Sequence, residues 1–246
     1  FSMYEVLPIG KVQDKPIYAG LIESMDEAIG LVLKSLKDLG IEQNTIIIFT
    51  SDNGLANGQH GLLGKQNQYD HSIRVPLIFA GPSVDAGIRK TGMFYLHSLF
   101  PTILDIAEIE APKTTDSVSI ASLLSGKKDH VREYIYGAYK NFQRMIRTSS
   151  HKLIYYPHIE KTQLFDMIND PLEIHDISKN EGNEILMTKL LTELERLKLA
   201  GGRVMAFEME GGDALFLPRA WGHSVRNLED TVAINTWFPQ PQQAPA

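Results

Sequence analysis

Apolar side chains recur at Tyr18, Ile22, Met25, Ile29, Val32, Leu36 and Leu39, close to the 3.6-residue period, so residues 17–39 are expected to form an amphipathic helix. Gly40 is its expected stop, as a residue that accepts the left-handed conformation after a last turn. The runs TIIIF and VPLIFA are β-branched and aromatic and are bounded by turn residues, which predicts buried strands of a mostly parallel sheet. Residues 99–109 predict a second helix through Phe100, Ile103, Leu104 and Ala107, with Pro101 in its first turn. The stretch APKTTDSVSIASLLSGKKDH is polar and punctuated, and is expected to run over the surface. From residue 133 to 166, EYIYGAY, RMIRT, KLIYYP and TQLFD sit between turn signals and predict an antiparallel sheet. Ile185, Leu186, Leu190, Leu194 and Leu197 then place a helix over residues 183–199. The order of helix, strand, loop and strand is that of an α/β fold, a sheet covered by helices.

With 246 residues, 43% of them hydrophobic, the chain is long enough for one large domain or one and a half ordinary ones. A net charge of −6 and the lack of a basic stripe argue against nucleic-acid or membrane-surface binding. No apolar run approaches the roughly 20 residues that span a bilayer. The absence of cysteine removes disulfides and thiolate metal sites.

The segment SDNGLANGQHGLLGKQ changes the picture, because it places Asp52, Asn53 and Lys65 in a polar loop beyond the carboxyl end of TIIIF. In α/β sheets that edge is where ligands bind. A carboxylate beside a carboxamide offers hard oxygens, suited to Ca²⁺ or Mg²⁺ rather than zinc. Lys65 adds a point charge for an anionic group. Taken alone, DNG is an ordinary turn and Lys65 a solvated lysine. The G-x-H-G-x-x-G-K spacing that follows, ending at Lys65, favours the site reading. His60 is a candidate general acid or pocket residue, with a surface histidine as the plain alternative. Gln59, Gln66 and Asn67 are candidates for shaping the pocket, whereas His71 and Arg74 suit hydrogen bonds within the loop. His97, His130, His151, His158 and His175 show no metal-ligand spacing.

Five segments in order resemble type I sulfatases of the alkaline phosphatase superfamily: IYAGLIESMDEAIGLVLKSLKDLG, IIIFTSDNG, GQHGLLGKQNQYDHSIRVPLIFAGP, LFPTILDIAEIEAP and HKLIYYPHIEKTQLFDMINDPLEIHDI. The resemblance covers residues 17–199 and is to the C-terminal half of that family. It implies part of an alkaline-phosphatase-like α/β sheet over residues 1–130, and an antiparallel C-terminal subdomain with a helix over residues 131–200. It also implies that Asp52 and Asn53 are ligands of one divalent cation, Ca²⁺ with Mg²⁺ as the alternative. Lys65 would be a catalytic and substrate-binding residue that holds the sulfate of a carbohydrate or aryl ester. His60 would be a catalytic residue, and Gln59 would contact substrate. The family's nucleophile is a formylglycine made from Cys, or sometimes Ser, in C/S-x-P-x-R. Neither that motif nor a cysteine occurs here, so a truncated chain without turnover of its own is expected.

From Gly201 the sequence instead resembles the closing strands of a jumonji-like cupin, with GDALFLPRAWGHSV placing His223 where that family has the last histidine of an Fe(II) site. Nothing between Gly201 and His223 supplies that family's upstream His-x-Asp/Glu pair, so residues 201–246 are expected to be a strand fragment followed by a disordered tail, PQPQQAPA. Two further readings stay open: a phosphoryl-transfer hydrolase of the same superfamily, and a non-catalytic chimera with a cupin-type oxygenase fragment. A truncated sheet would expose an edge and an apolar face, which invites self-association. Export to the periplasm or beyond is implied by the sulfatase resemblance alone.

Overall fold

The computed structural model describes residues 9–82, 84–113, 115 and 117–200, and the chain divides into two compact units, one up to Arg89 and one from Lys90. The cupin-like segment, with His223, and the tail lie outside the described residues.

The first unit opens with α1, Ile9–Asp38, which begins earlier than the periodicity predicts and carries Pro16 inside it. Its end is the expected one. Gly40 has φ +67°, its N–H bonds to the Lys37 carbonyl, and the Ile41 N–H reaches back to the Leu36 carbonyl. That pair of bonds is a Schellman motif, satisfying carbonyls that the last turn leaves without partners. The apolar face of α1 is not covered by the described residues: Ile17 and Leu21 are each 64% exposed and Val32 62%.

Strand β1, Ile47–Thr50, pairs with β4, Leu77–Ala80, in the register Ile47↔Ala80 to Thr50↔Leu77. The pairing is antiparallel and the strands are only partly buried, which corrects the parallel, buried reading of TIIIF and VPLIFA. Topology is the reason. Parallel neighbours need a crossover of a dozen or more residues, usually a helix on one face of the sheet. Between β1 and β4 the chain forms only a two-stranded hairpin, β2 (Ala56–Asn57) with β3 (Leu63–Gly64), and the four-residue helix α2, Asp70–Ile73. That excursion folds back on itself and brings β4 home in the opposite direction.

The second unit starts with α3, Leu99–Ile106, three residues shorter than expected. Its stop uses Glu108 where glycine is usual: φ is +57°, and the Ile109 N–H bonds to the Leu104 carbonyl at 2.8 Å. Thr102, fully buried, accepts from the Ile120 N–H at 2.9 Å and so ties α3 to the start of α4, Ala121–Leu124. The antiparallel sheet is as the alternation predicts, a meander of β5 (Ile135–Tyr139), β6 (Gln143–Arg147), β7 (His151–Tyr156) and β8 (Lys161–Asp166).

Side chains alternate across a strand, so one row of cross-strand neighbours, Ile146, Leu153 and Leu164, faces one side of the sheet. Leu190 and Leu194 of α5, Glu184–Ala200, pack on that row, and all five side chains are fully buried. The opposite face holds Met145, Ile154 and Phe165, also buried, together with a charge. Lys152 is 0% exposed and its ammonium lies 2.7 Å from the Glu173 carboxylate, itself 2% exposed. The desolvation of such a pair nearly cancels its attraction, but a partner left alone keeps the desolvation cost without the compensation.

Two expectations follow for this unit. Lys152→Met alone should cost about 3–5 kcal/mol in urea unfolding, and the double variant with Glu173→Leu should recover most of it. Equal losses in the two variants would show that the ion pair is not what the sheet depends on. Asp166 caps the turn after β8: its carboxylate accepts from the Asn169 side chain at 2.7 Å and from the N–H groups of Asn169 and Ile168. Those bonds, the Asn169 side chain foremost, hold its carboxyl below the usual carboxylate range. A lowered folded pKa contributes stability above the unfolded value of about 3.9, and that contribution is lost as pH falls through the folded value. Asp166→Asn should therefore flatten the decline of the thermal midpoint between about pH 5 and pH 2. An unchanged slope would remove Asp166 from the acid response.

Candidate functional site

The loop between β1 and β4 is built from its backbone outward. Thr50 at the end of β1 donates its hydroxyl to the Pro76 carbonyl at 2.8 Å, holding the two ends of the excursion together. At the next residue, Ser51 Oγ donates to the Asn53 carbonyl at 2.8 Å, and the Asn53 N–H donates to Asp52 Oδ1 at 2.8 Å. These local bonds fix both side chains in a tight turn. Gly54 then passes so close to α2 that its N–H bonds to the Ser72 carbonyl at 2.9 Å. A Cβ at position 54 would lie 2.0 Å from the His71 carbonyl oxygen, so only glycine fits.

The β2–β3 hairpin brings Lys65 back to that turn. Its Nζ donates to Asn53 Oδ1 at 2.6 Å and stands 3.9 Å from Asp52 Oδ2. The structure thus brings Asp52, Asn53 and Lys65 together across the loop. Asp52 and Lys65 are substantially solvent-exposed, so their attraction is worth at most about 1 kcal/mol. The chemistry of the arrangement is clearer than its energy. A carboxylate oxygen and an amide oxygen converge on one positive centre, here the lysine ammonium, and both are hard donors of the kind an alkaline-earth cation takes. Among the described residues no three His, Cys, Asp or Glu side chains group closely enough to hold a metal by themselves. The set fits a divalent cation in ligand type and supplies two of the six or more oxygens such an ion requires.

Gln59 and His60 sit at the tip of the hairpin in a short 3₁₀ turn, Gln59–Gly61. Gln59 Oε1 accepts from the Asn57 N–H at 2.7 Å, so one end of that side chain closes the turn. His60 has φ +53°, between Gly58 and Gly61 that are also left-handed. Its ring lies flat on Tyr69, centroids 4.0 Å apart and planes within 5°, and the His71 ring stands 5.5 Å away. Tyr69 was no candidate from sequence, since a stack between residues nine positions apart leaves no periodic signal. Gln66 Oε1 accepts from the Lys65 N–H at 3.2 Å, and Asn67 is buried with Oδ1 accepting from the Tyr69 N–H at 3.1 Å. Arg74 lies 3.9 Å from Asp70 at the end of α2.

Comparison with known proteins identifies the family. Residues 58–200 match the family described as N-sulphoglucosamine sulphohydrolase, C-terminal. An N-acetylglucosamine-6-O-sulfatase of Bacteroides thetaiotaomicron is 32% identical over 173 residues, which cover 65% of this chain and 31% of the relative. An arylsulfatase of Clostridium perfringens is 30% identical over 174 residues, covering 68% and 36%. Among solved structures, that of BT4656 in complex with its substrate D-glucosamine-2-N,6-O-disulfate superposes with a TM-score of 0.67 at 29% identity, over 72% of this chain and 39% of that one. The chain spans about a third of the length of these curated relatives. It belongs to the N-sulphoglucosamine sulphohydrolase C-terminal family, the C-terminal portion of sulfatases with an alkaline-phosphatase-like α/β fold.

Proposed function

We propose that the chain supplies the lysine and part of the cation site of a sulfuric ester hydrolase. The observation that carries this is the convergence of Asp52, Asn53 and Lys65 within one loop of a sulfatase-family segment. Asp52 and Asn53 would hold a divalent cation, Ca²⁺ with Mg²⁺ as the alternative. When bound, such an ion neutralises sulfate oxygens and stabilises charge on them. Lys65 places an ammonium against the same sulfate and the departing ester oxygen. His60, its ring plane set by Tyr69, stands as proton donor to the departing alcohol. Gln59, with its oxygen engaged by the loop, keeps its Nε2 donors for substrate.

The family's formylglycine has no source here, since the chain contains neither cysteine nor the S-x-P-x-R motif. The nucleophile must come from outside this sequence. The substrate class is a sulfate ester of a carbohydrate or an aryl alcohol, and the compartment is periplasmic or extracellular. Among the described residues no helix is long and apolar enough to cross a membrane. The exposed apolar face of α1 supports association with a second copy or with a covering segment. The phosphoryl-transfer alternative is not favoured, since the family match and the relatives above are sulfatases.

The cation and Lys65 compete for Asn53 Oδ1, which gives a test with three variants. Calorimetric titration of Ca²⁺ into the full chain should show weak binding, with a dissociation constant of about 10⁻³ M or higher for so few ligands. Asp52→Ala should abolish it, and Lys65→Met should strengthen it by removing the competing ammonium. Tight binding that survives Asp52→Ala would place the ion elsewhere. With 4-nitrophenyl sulfate the chain alone should release no sulfate, and measurable turnover would overturn the assignment of the nucleophile to another segment.

A further inference from the structure

The second unit carries a cleft of about 580 Å³ whose lining includes none of Asp52, Asn53, His60 or Lys65. One wall is the segment around Met93, paired through an isolated antiparallel bridge with Arg132 on the facing segment. Another is the turn joining β6 to β7, and α5 contributes Leu186, Lys189 and Leu190. The turn is prebuilt. The Thr148 N–H bonds to the His151 carbonyl at 2.8 Å, and the His151 N–H returns to the Thr148 hydroxyl at 2.9 Å. Ser150 Oγ lies 3.0 Å from His151 Nδ1, which orients the imidazole.

The charges around this cleft are not spent on one another. Lys189, Glu133 and Asp129 line it and form no ion pair among the described residues. Arg132 spreads its guanidinium over the Tyr95 ring, 4.9 Å from the centroid, and its Nε is buried without a hydrogen-bond partner among the described residues. Two cations, two carboxylates, a rigid hydroxyl-bearing turn and an apolar strip from α5 share one concavity of the size that takes a small ligand. A simple inorganic anion would use the cations and find no partner for the carboxylates. A plain hydrocarbon would leave all of them unpaired. A sugar ring bearing an anionic group answers each feature: its hydroxyls donate to carboxylates and exchange hydrogen bonds with the Ser150–His151 pair, its anionic substituent meets Lys189 and Arg132, and its C–H face lies on leucine.

We propose that this cleft is a second saccharide site, taking a sulfated sugar unit by Lys189, Arg132 and the 148–151 turn. The choice of sulfate as the anionic substituent rests on the sulfatase reading above; the cleft itself does not. The probe is N-acetylglucosamine 6-sulfate, titrated into the full chain and followed by amide chemical shifts with assignments in both loops. Saturable shifts at Ser150, His151 and Lys189 are expected. Lys189 is exposed, so Lys189→Gln should fold and weaken those shifts at least tenfold, while Lys65→Met leaves them unchanged. N-acetylglucosamine and inorganic sulfate should each bind at least tenfold more weakly than the sulfated sugar.

Equal affinity for inorganic sulfate would reduce the cleft to an anion site and overturn the proposal, as would shifts indifferent to Lys189→Gln. Shifts confined to the Lys65 loop and lost in Lys65→Met would also sink it, while leaving the sulfatase reading intact. Glucuronic acid binding as well as the sulfated sugar would keep the saccharide site and overturn its sulfate preference. Cleft shifts as expected, with no Ca²⁺ response to Asp52→Ala, would retain this site and remove the reading of the first.

Discussion

One backbone hydrogen bond, from the Gly54 N–H to the Ser72 carbonyl at 2.9 Å, sets the geometry on which the candidate site depends. It locks the turn after β1 to the short helix before β4. The contact is possible because no side chain stands at position 54, where a Cβ would meet the His71 carbonyl at 2.0 Å. With the turn pinned there, Asp52 and Asn53 project beyond the strand end, and the β2–β3 hairpin has a fixed base from which Lys65 returns. The site is therefore a property of backbone packing first and of side-chain chemistry second. Its charged groups, exposed as they are, contribute too little attraction to organise the loop themselves.

The second unit solves a different problem, since its sheet is buried on both faces. One face is covered by α5 through Leu190 and Leu194, which is the usual way an amphipathic helix satisfies a sheet. The other buries a lysine among apolar side chains and supplies Glu173 to it. Glu173 itself takes a left-handed backbone conformation, φ +59°, a conformation that non-glycine residues seldom adopt. Backbone strain and a desolvated pair at one position indicate that the surrounding packing, not the pair, provides the net stability.

How much of this was legible in the sequence depended on whether the signal was local. The β5–β8 meander was readable because alternation and turn residues specify hairpins between neighbours in the chain. Helix α5 was readable from its leucine period. Asp52, Asn53 and Lys65 were readable because a DNG turn and a spaced lysine follow a strand, and the fold does bring the three together. The direction of β4 was not, since a short apolar run announces a strand without saying which way its partner runs. The end of α3 was missed because Glu108 replaces the glycine that usually marks it. Tyr69 was missed for the same kind of reason: its contact with His60 exists only once the hairpin has folded.

The 2.6 Å contact between Lys65 and Asn53 has a consequence for how charge is handled in the proposed site. Asp52 and Asn53 present oxygens that would repel one another's lone pairs if nothing positive lay between them. The ammonium fills that role, within a loop whose shape the backbone already sets. In the proposed reading, a divalent cation held by Asp52 and Asn53 would displace Lys65 from Asn53 Oδ1, because one amide oxygen cannot point at two cations at close range without strong repulsion between them. The displaced ammonium would stay tethered to the same hairpin, beside a centre made more positive by the ion. An anionic ester would then be drawn to both charges at once. On the proposed reading, the same lysine would offset these oxygens before an ion binds and would contact the sulfate once displaced.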